Sequence, residues 1–496
     1  MGSAMQLSLP LPELAVEAGP AAASERVFCN RTLRLDRIDW VGFDMDYTLA
    51  VYRQATMDRL TIDAALEKLV AAGYPARLRS CAYRTAFPIR GLLVDRKLGN
   101  ILKMDRYAYV KRAYHGTREL TKEERRRAYH TRRLRTGSKR YHWVDTLYAL
   151  SEVTLYAAVV DALESAGEAV DHDALFGDVR AAVDASHRDG SINDRIRQDP
   201  GSYVLRDERL GHTLHRLRSS GKRLFLLTNS PPETTEAMMA FLLAEGPAEY
   251  GQWRAYFDLV ITAAQKPSFF SSDAPFRPAK GGAPRAATGL ERHVVYVGGN
   301  RAGLEERLGV TPDRVLYVGD HIYGDVLSAK KQTAWRTLMI VQEMEAELAT
   351  HARLAPQRER LRELEGHRER LHDALRVHQA PLKVLERRRG ALGTLSPAED
   401  AARVRHRRAV TRLRTRLRAT EEETEALEER IAEAFHPYWG SLFKAGAEVS
   451  SFGHQVEAYA GLYTSRVTNL LRYSPMHEFR SPHDRMPHEL AGPASP

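Results

Sequence analysis

An α/β fold built on a parallel sheet, with an inserted unit and a helical C-terminal region, is predicted by three features of the sequence. Apolar runs stop abruptly at acidic or hydroxyl residues: Trp40-Val41-Gly42-Phe43 before Asp44, Leu224 to Leu227 before Thr228, and Val315 to Val318 before Gly319-Asp320. Near-continuous apolar runs are what strands covered on both faces need. The separation of Asp46 from Thr228 far exceeds one strand–helix–strand step, so something folded is inserted there. From Glu345 to His436 the sequence reads as helix.

The chain has 496 residues, 43% hydrophobic and 28% charged, enough to bury a large core in more than one structural unit. No run approaches the length of a membrane span. Met1 to Ser24 lacks a basic start followed by an unbroken apolar core, so it does not read as a signal peptide. Cys29 and Cys81 are too few for a disulfide framework and wrongly spaced for a metal site. A cytoplasmic protein is the consistent expectation. The net charge of +10 favours anionic ligands.

Taken in order, residues 1–25 read as a disordered tail and 26–74 as the start of the core. Thr61 to Val70 is an amphipathic helix stopped by Gly73 and Pro75. Gly91 to Asp95 and Gly99 to Met104 form a hairpin. The insert, residues 75–205, also holds the basic stretch Lys122 to Arg140 and a long helical pattern from Val144 to Leu163. The core resumes over 206–344, where Ser271 to Gly289 is a loop and His293 to Val297 a strand. Gly298-Gly299-Asn300 reads as a turn or a close approach to phosphate. Residues 345–436 form a helical hairpin. Its second half opens on the capping box Ser396-Pro397-Ala398-Glu399 and carries a heptad seam, Val410, Leu413, Leu417, Thr420, Thr424, Leu427 and Ile431. Gly390 and Gly393 interrupt the halves. Acids interleave with its arginines, which argues for a solvated face over a nucleic-acid arm. Residues 437–474 return to dock on the core, and 475–496 are a polar tail.

The chemistry centres on Phe43-Asp44-Met45-Asp46-Tyr47-Thr48-Leu49. In a continuing strand the two acids would share a face; a turn after the strand would let them converge. Paired acids at a strand end suit a cation and a phosphate together. One attacks phosphorus and the other protonates the leaving oxygen. A surface Asp-x-Asp turn is the plain alternative. A calcium loop fails, because Leu49 and Ala55 stand where it needs Gly and Glu.

The order Asp44/Asp46, Thr228, Lys266, Asp320/Asp325 resembles the haloacid dehalogenase-like phosphohydrolases. The wording Phe43 to Tyr52, Thr228-Asn229-Ser230, Lys266-Pro267 and Gly319 to Asp325 resembles their cytosolic purine 5′-nucleotidases, the IMP/GMP-preferring kind. That resemblance implies a Rossmannoid parallel sheet with the insert as a cap. It implies Mg²⁺ held by Asp44, the Asp46 carbonyl and Asp320, with Asp325 in support. Asp44 becomes the nucleophile, Asp46 the acid and base, and Thr228, Asn229, Ser230 and Lys266 the phosphate holders. In the cap, Tyr148 is expected to stack on the base and Arg180, Asp184 and His187 to read it. These last three recur on one helix face, which is otherwise a solvated stripe. Transfer of phosphate to a nucleoside, assembly as a homo-oligomer (dimer or tetramer), and an effector site at Arg135, His321, Tyr323 and Lys331 are also implied. Asp145 and Ala458 depart from the effector pattern, and Asn193 from the substrate pattern, where a lysine is expected.

Three functions remain open on sequence alone: a purine 5′-nucleotidase, a phosphatase of the same fold for another phosphomonoester, or a non-catalytic oligomeric or nucleic-acid-binding scaffold. The complete acid and lysine set speaks against the last.

Overall fold

The structure is a computed structural model that describes residues 22–129, 134–281, 289–327 and 333–482. These residues divide into two compact units, one made of those up to 345 and from 451 onward, the other of residues 346–450.

The first unit is organised by a nine-stranded sheet. Its strands in chain order are β1 (Phe28–Cys29), β2 (Trp40–Phe43), β3 (Arg223–Leu227), β4 (Leu259–Thr262), β5 (Phe276–Pro278), β6 (Val295–Gly298), β7 (Val315–Gly319), β8 (Arg336–Ile340) and β9 (Leu462–Thr464). Across the sheet they run β1-β9-β8-β7-β2-β3-β4-β6-β5. Only the edge strands β1 and β5 pair antiparallel; the rest are parallel. β2 is central, with β3 on one side and β7 on the other. Strand order reverses there, which is where α/β sheets open a crevice at the carboxyl ends of their strands. The apolar runs are fully buried, as two-sided strands must be, and Trp40, Phe225, Tyr296 and Tyr317 fill one core cluster.

Between β2 and β3 lies the inserted segment. Leu92–Asp95 and Asn100–Met104 pair antiparallel within a five-stranded sheet, completed by Val110–His115, Arg118–Glu119 and Tyr141–Val144. Helix α1 (Gln54–Ala71) precedes this sheet, and α2 (Tyr148–Ser165) and α3 (His172–Arg188) follow it. Asp171 caps α3 by accepting from the Asp173 and Ala174 N–H groups.

Several sequence readings need correction. Val144 is not helical; it ends a strand, and the helix begins at Tyr148. Only Asp145, Thr146 and Leu147 separate the two elements, a join too short for periodicity to mark the change. Helix α1 starts at Gln54, well before Thr61. The stretch Ser271 to Gly289 is not all loop, because Phe276–Pro278 adds the edge strand β5; residues 282–288 lie outside the described residues. The last 22 residues are not all tail: Glu478–Phe479 pairs with Leu33–Arg34.

At Gly298-Gly299 both residues have positive φ, 73° and 93°. A Cβ on Gly299 would meet the Phe276 ring at 2.1 Å, so the turn and its packing explain the pair.

In the second unit, α4 (Ala355–Leu392) and α5 (Pro397–Phe435) pack as a hairpin. Leu375, Leu382 and Val410 form its buried seam, with Leu413 and Leu417 against them. The Ser396–Glu399 capping box is present. Gly390 lies inside α4; the break comes at Gly393, whose φ is 72°.

Candidate active site

β2 ends at Phe43, and the chain turns immediately. Thr48, Leu49 and Ala50 all donate their N–H groups to the Met45 carbonyl, and Tyr47 takes a φ of 56° to close the turn. Asp44 and Asp46 therefore sit past the strand, and the turn, not strand alternation, sets their relation.

Asp44 is buried. Its Oδ1 accepts from the Met45 N–H at 2.8 Å and lies 2.9 Å from Lys266 Nζ. That ammonium also donates to Asp325 Oδ1 at 2.7 Å and to the Tyr317 hydroxyl at 2.9 Å. Asp46 is gripped by two hydroxyls, Tyr52 on Oδ1 at 2.6 Å and Ser230 on Oδ2 at 2.5 Å. Asp320 follows β7, and Arg90 donates to its carbonyl at 2.9 Å. Arg90 is fully buried and forks onto Glu343. Thr228 follows β3; its Oγ1 accepts from the Ser230 N–H at 3.1 Å. Asn229 is tied to Lys266 in both directions, accepting from its N–H and donating to its carbonyl.

One carboxylate oxygen each from Asp44, Asp320 and Asp325 fall within 4.8 Å of one another. Such crowding has an electrostatic cost. Burial pushes the Asp44 carboxyl well above the usual range; Lys266 opposes, while Asp325, Asp46 and Asp320 push further up. Burial likewise raises Asp320 to about 7, against the pull of Arg90. Lys266 is raised: burial works the other way, but Asp325 and Asp44 outweigh it. A buried acid cluster with one ammonium against two of its three members suits an added hard cation on oxygen ligands.

The inserted segment brings a second group of residues together. Tyr148 stands edge-on to Tyr47 at 4.8 Å and to His187 at 5.6 Å. Burial holds His187 below its ordinary value. Arg180 and Asp184 are exposed on the same helix. Arg180 reaches Glu152 Oε2 at 3.5 Å and His142 Nδ1 at 3.3 Å. Asn193 donates to the His187 carbonyl at 2.9 Å.

The four residues of the expected effector site fare unequally. His321 hydrogen-bonds Asp145 at 3.2 Å, one of the two departures from the pattern. Burial lowers the His321 pKa, but Asp145 outweighs it and the net shift is upward. Arg135 is exposed and its carbonyl accepts from Ser138. Lys331 and the Tyr323 side chain lie outside the described residues.

Tyr52, Arg90, Tyr317, Glu343, Glu152 and His142 were not singled out from sequence. Tyr52 and Tyr317 carried a signal, since Tyr52 lies within the motif that follows Asp44 and Tyr317 within the apolar run before Asp320. The others come from stretches with no motif and reach the site only through the fold.

A central parallel sheet with polar residues gathered at the carboxyl ends of adjacent strands defines an α/β protein with its site at a topological switch point. The sequence model of the 5′ nucleotidase family matches residues 27–491, and the chain belongs to that family. It is thereby a hydrolase acting on phosphate monoesters. A 5′-nucleotidase domain-containing protein of Dictyostelium discoideum is 30% identical over 490 residues, covering 95% of this chain and 76% of that one. The human 5′-nucleotidase domain-containing protein 2 is 29% identical over 478 residues, 93% and 84% of the two chains. Among solved structures, a predicted phosphoglycolate phosphatase from Haemophilus somnus aligns with 62% of this chain and 86% of its own at 14% identity, with a TM-score of 0.28. An L-2-haloacid dehalogenase from Xanthobacter autotrophicus aligns with 62% and 78% at 16% identity, with a TM-score of 0.21. Those scores carry no argument about activity. Among the described residues no helix is long and apolar enough to cross a membrane.

Proposed function

We propose that the protein is a Mg²⁺-dependent, cytoplasmic 5′-nucleotidase that converts IMP and GMP to nucleoside and phosphate through an aspartyl-phosphate, with Asp44 as nucleophile. The observation that carries this reading is the convergence of Asp44, Asp320 and Asp325, with Lys266 bridging Asp44 and Asp325.

Mg²⁺ fits the donor set, because the cluster is all oxygen and crowded with negative charge. Asp44, the Asp46 carbonyl and Asp320 would hold it, with Asp325 acting directly or through water. When bound, the ion neutralises charge between the carboxylates and a phosphate dianion.

Asp44 Oδ1 is occupied by Met45 N–H and Lys266, which leaves Oδ2 for attack on phosphorus. As the new O–P bond forms, the bond to ribose O5′ breaks and Asp46 gives that oxygen a proton. Asp46 then takes a proton from the water that opens the aspartyl-phosphate. Two easier displacements replace one hard one. Lys266, Thr228, Asn229 and Ser230 hold the phosphoryl oxygens. Transfer of the phosphoryl group to a nucleoside is the same second step with a hydroxyl in place of water.

Base choice is assigned to α3 and to the first residue of α2. Tyr148 stacks on the purine, Arg180 donates to O6 or N7, and Asp184 accepts from N1–H, with His187 beside them. Adenine reverses that donor pattern, and a site built for one pattern rejects the other. The Glu152–Arg180 contact supports Arg180 as a positioned group. A homo-oligomer, with nucleotide effectors at a site near His321, belongs to the same proposal.

The test is phosphate release across nucleoside monophosphates, with and without Mg²⁺, for wild type and Asp184→Ala. The variant should lose ~1–3 kcal/mol in kcat/KM on IMP and GMP and little on p-nitrophenyl phosphate. Equal losses on all substrates would make Asp184 structural and leave a phosphatase for another ester as the better reading.

A further inference from the structure

A separate cluster in the inserted segment has the donor set of a transition-metal site. His115 ends the strand Val110–His115, Glu164 lies in the last turn of α2, and His172 is the first residue of α3. His115 Nε2 is 2.9 Å from both Glu164 carboxylate oxygens. His172 Nε2 is 3.5 Å from Glu164 Oε1. The three ligand atoms lie within 4.8 Å of one another.

The hydrogen-bond chain behind His115 fixes where its proton sits. Arg140 forks onto the buried Asp95 carboxylate at 2.7 and 2.6 Å. A carboxylate accepts, so the Tyr129 hydroxyl donates to Asp95 Oδ2 at 2.9 Å. The Tyr129 oxygen in turn accepts from Asn100 Nδ2 at 2.8 Å. That turns Asn100 Oδ1 toward His115 Nδ1, 2.8 Å away, where the ring must donate. A neutral imidazole with its proton on Nδ1 presents a lone pair at Nε2. Here that lone pair faces a carboxylate. Two electron-pair donors so close call for a proton or a metal cation between them. His172 aims a second imidazole at the same carboxylate, and its own Nδ1 is buried without a hydrogen-bond partner.

We propose that His115, Glu164 and His172 form a binding site for a divalent transition metal of the zinc class, the histidines ligating through Nε2 and Asn100 orienting His115 from behind. Two histidines and a carboxylate are a recurrent zinc set, and bonds of about 2.0–2.2 Å place such ligand atoms roughly 3–3.5 Å apart. The observed 2.9 and 3.5 Å need little adjustment. An outer partner that fixes the tautomer is the usual support for a metal-bound histidine. The partial exposure of all three side chains leaves room for water to complete the coordination.

The position suggests what the ion does. Tyr148 and His187 meet at one end of the α2–α3 pair, and Glu164 and His172 meet at the other. At 1.5 Å per residue these ends are about 24 Å apart. The metal would pin the far end of the helix pair that carries Tyr148, Arg180 and Asp184, well away from Asp44. The site stands whether or not those residues read a purine.

The experiment uses the full-length protein, stripped with EDTA and titrated with Zn²⁺ against a chromophoric chelator in excess Mg²⁺. Wild type and Asp320→Asn should each bind one equivalent, and Zn²⁺ should raise the Tm of both. His115→Gln and His172→Gln should each weaken binding by about tenfold or more and lose the rise in Tm, with unchanged circular dichroism. Should a histidine variant fail to fold, Glu164→Gln, at a half-exposed position, provides the same comparison. Zinc binding equal in wild type and variants, or absent from wild type, overturns the proposal.

Discussion

Lys266 Nζ lies 2.9 Å from Asp44 Oδ1, and the same ammonium reaches Asp325 at 2.7 Å. The lysine is buried and stands between two carboxylates that would otherwise repel. Lys266→Met should therefore harm both stability and rate. Removing one partner from a buried ion pair costs ~3–5 kcal/mol, and losing one charge-stabilising donor slows turnover about 10²–10³-fold. Denaturant unfolding and phosphate release check the two effects. A variant as stable and as active as wild type would contradict the ionic role.

Asp46 is held by the hydroxyls of Tyr52 and Ser230. Tyr52→Phe removes one of them without changing the ring's packing. The carboxylate then loses an oriented partner, and a proton donor that is poorly aimed matters most when the leaving group is basic. The loss in kcat should be larger on a nucleoside monophosphate than on p-nitrophenyl phosphate. Equal losses would assign Tyr52 to packing.

Burial pushes the Glu152 carboxyl up to about 7 from an ordinary 4.5, and Arg180 opposes the shift. A raised acid stabilises the fold fully below its unfolded value and loses that contribution as pH rises through its folded value. Wild type should lose stability between pH 5 and pH 8, by on the order of 3 kcal/mol from this group. Glu152→Gln should lack that share. Asp58 and Asp320 titrate in the same window and are common to both proteins, so the difference in urea midpoints isolates Glu152. Parallel pH profiles would show that Glu152 is not the group responsible.

The helical hairpin lies in the unit of residues 346–450, and the acids and lysine lie in the other. Replacing residues 350–434 by a short linker should leave phosphate release within a few-fold of wild type and change the subunit count. Light scattering alongside the assay checks both. An unchanged mass would remove the hairpin from assembly, and lost activity would tie it to the site.

The ends of the buried strands were legible because an apolar run that stops at Asp or Thr records both burial and position. Asp44, Thr228 and Asp320 follow that rule, and Lys266 and Asp325 lie a few residues past strand ends. The heptad seam of α5 was legible for the same reason, since its period is set by packing. What sequence hides is partnership across long separations. Arg90 reaches Asp320 and Glu343 from a stretch with no repeat or motif. Glu152 sits in a helix buried along most of its length, where a single acid has no pattern to stand against. Val144 was misplaced because only three residues separate the end of its strand from the helix at Tyr148, too short a join to show in the hydropathy pattern. His115, Glu164 and His172 come from three elements, and no spacing links them.

The most direct measurement is phosphate release from IMP by Asp44→Asn against wild type in Mg²⁺, with matched circular dichroism. The amide is a poor nucleophile but keeps the shape and the Met45 contact of the acid. Turnover should fall by about three orders of magnitude or more, as when a covalent nucleophile is removed. Activity within about tenfold of wild type would contradict attack by Asp44.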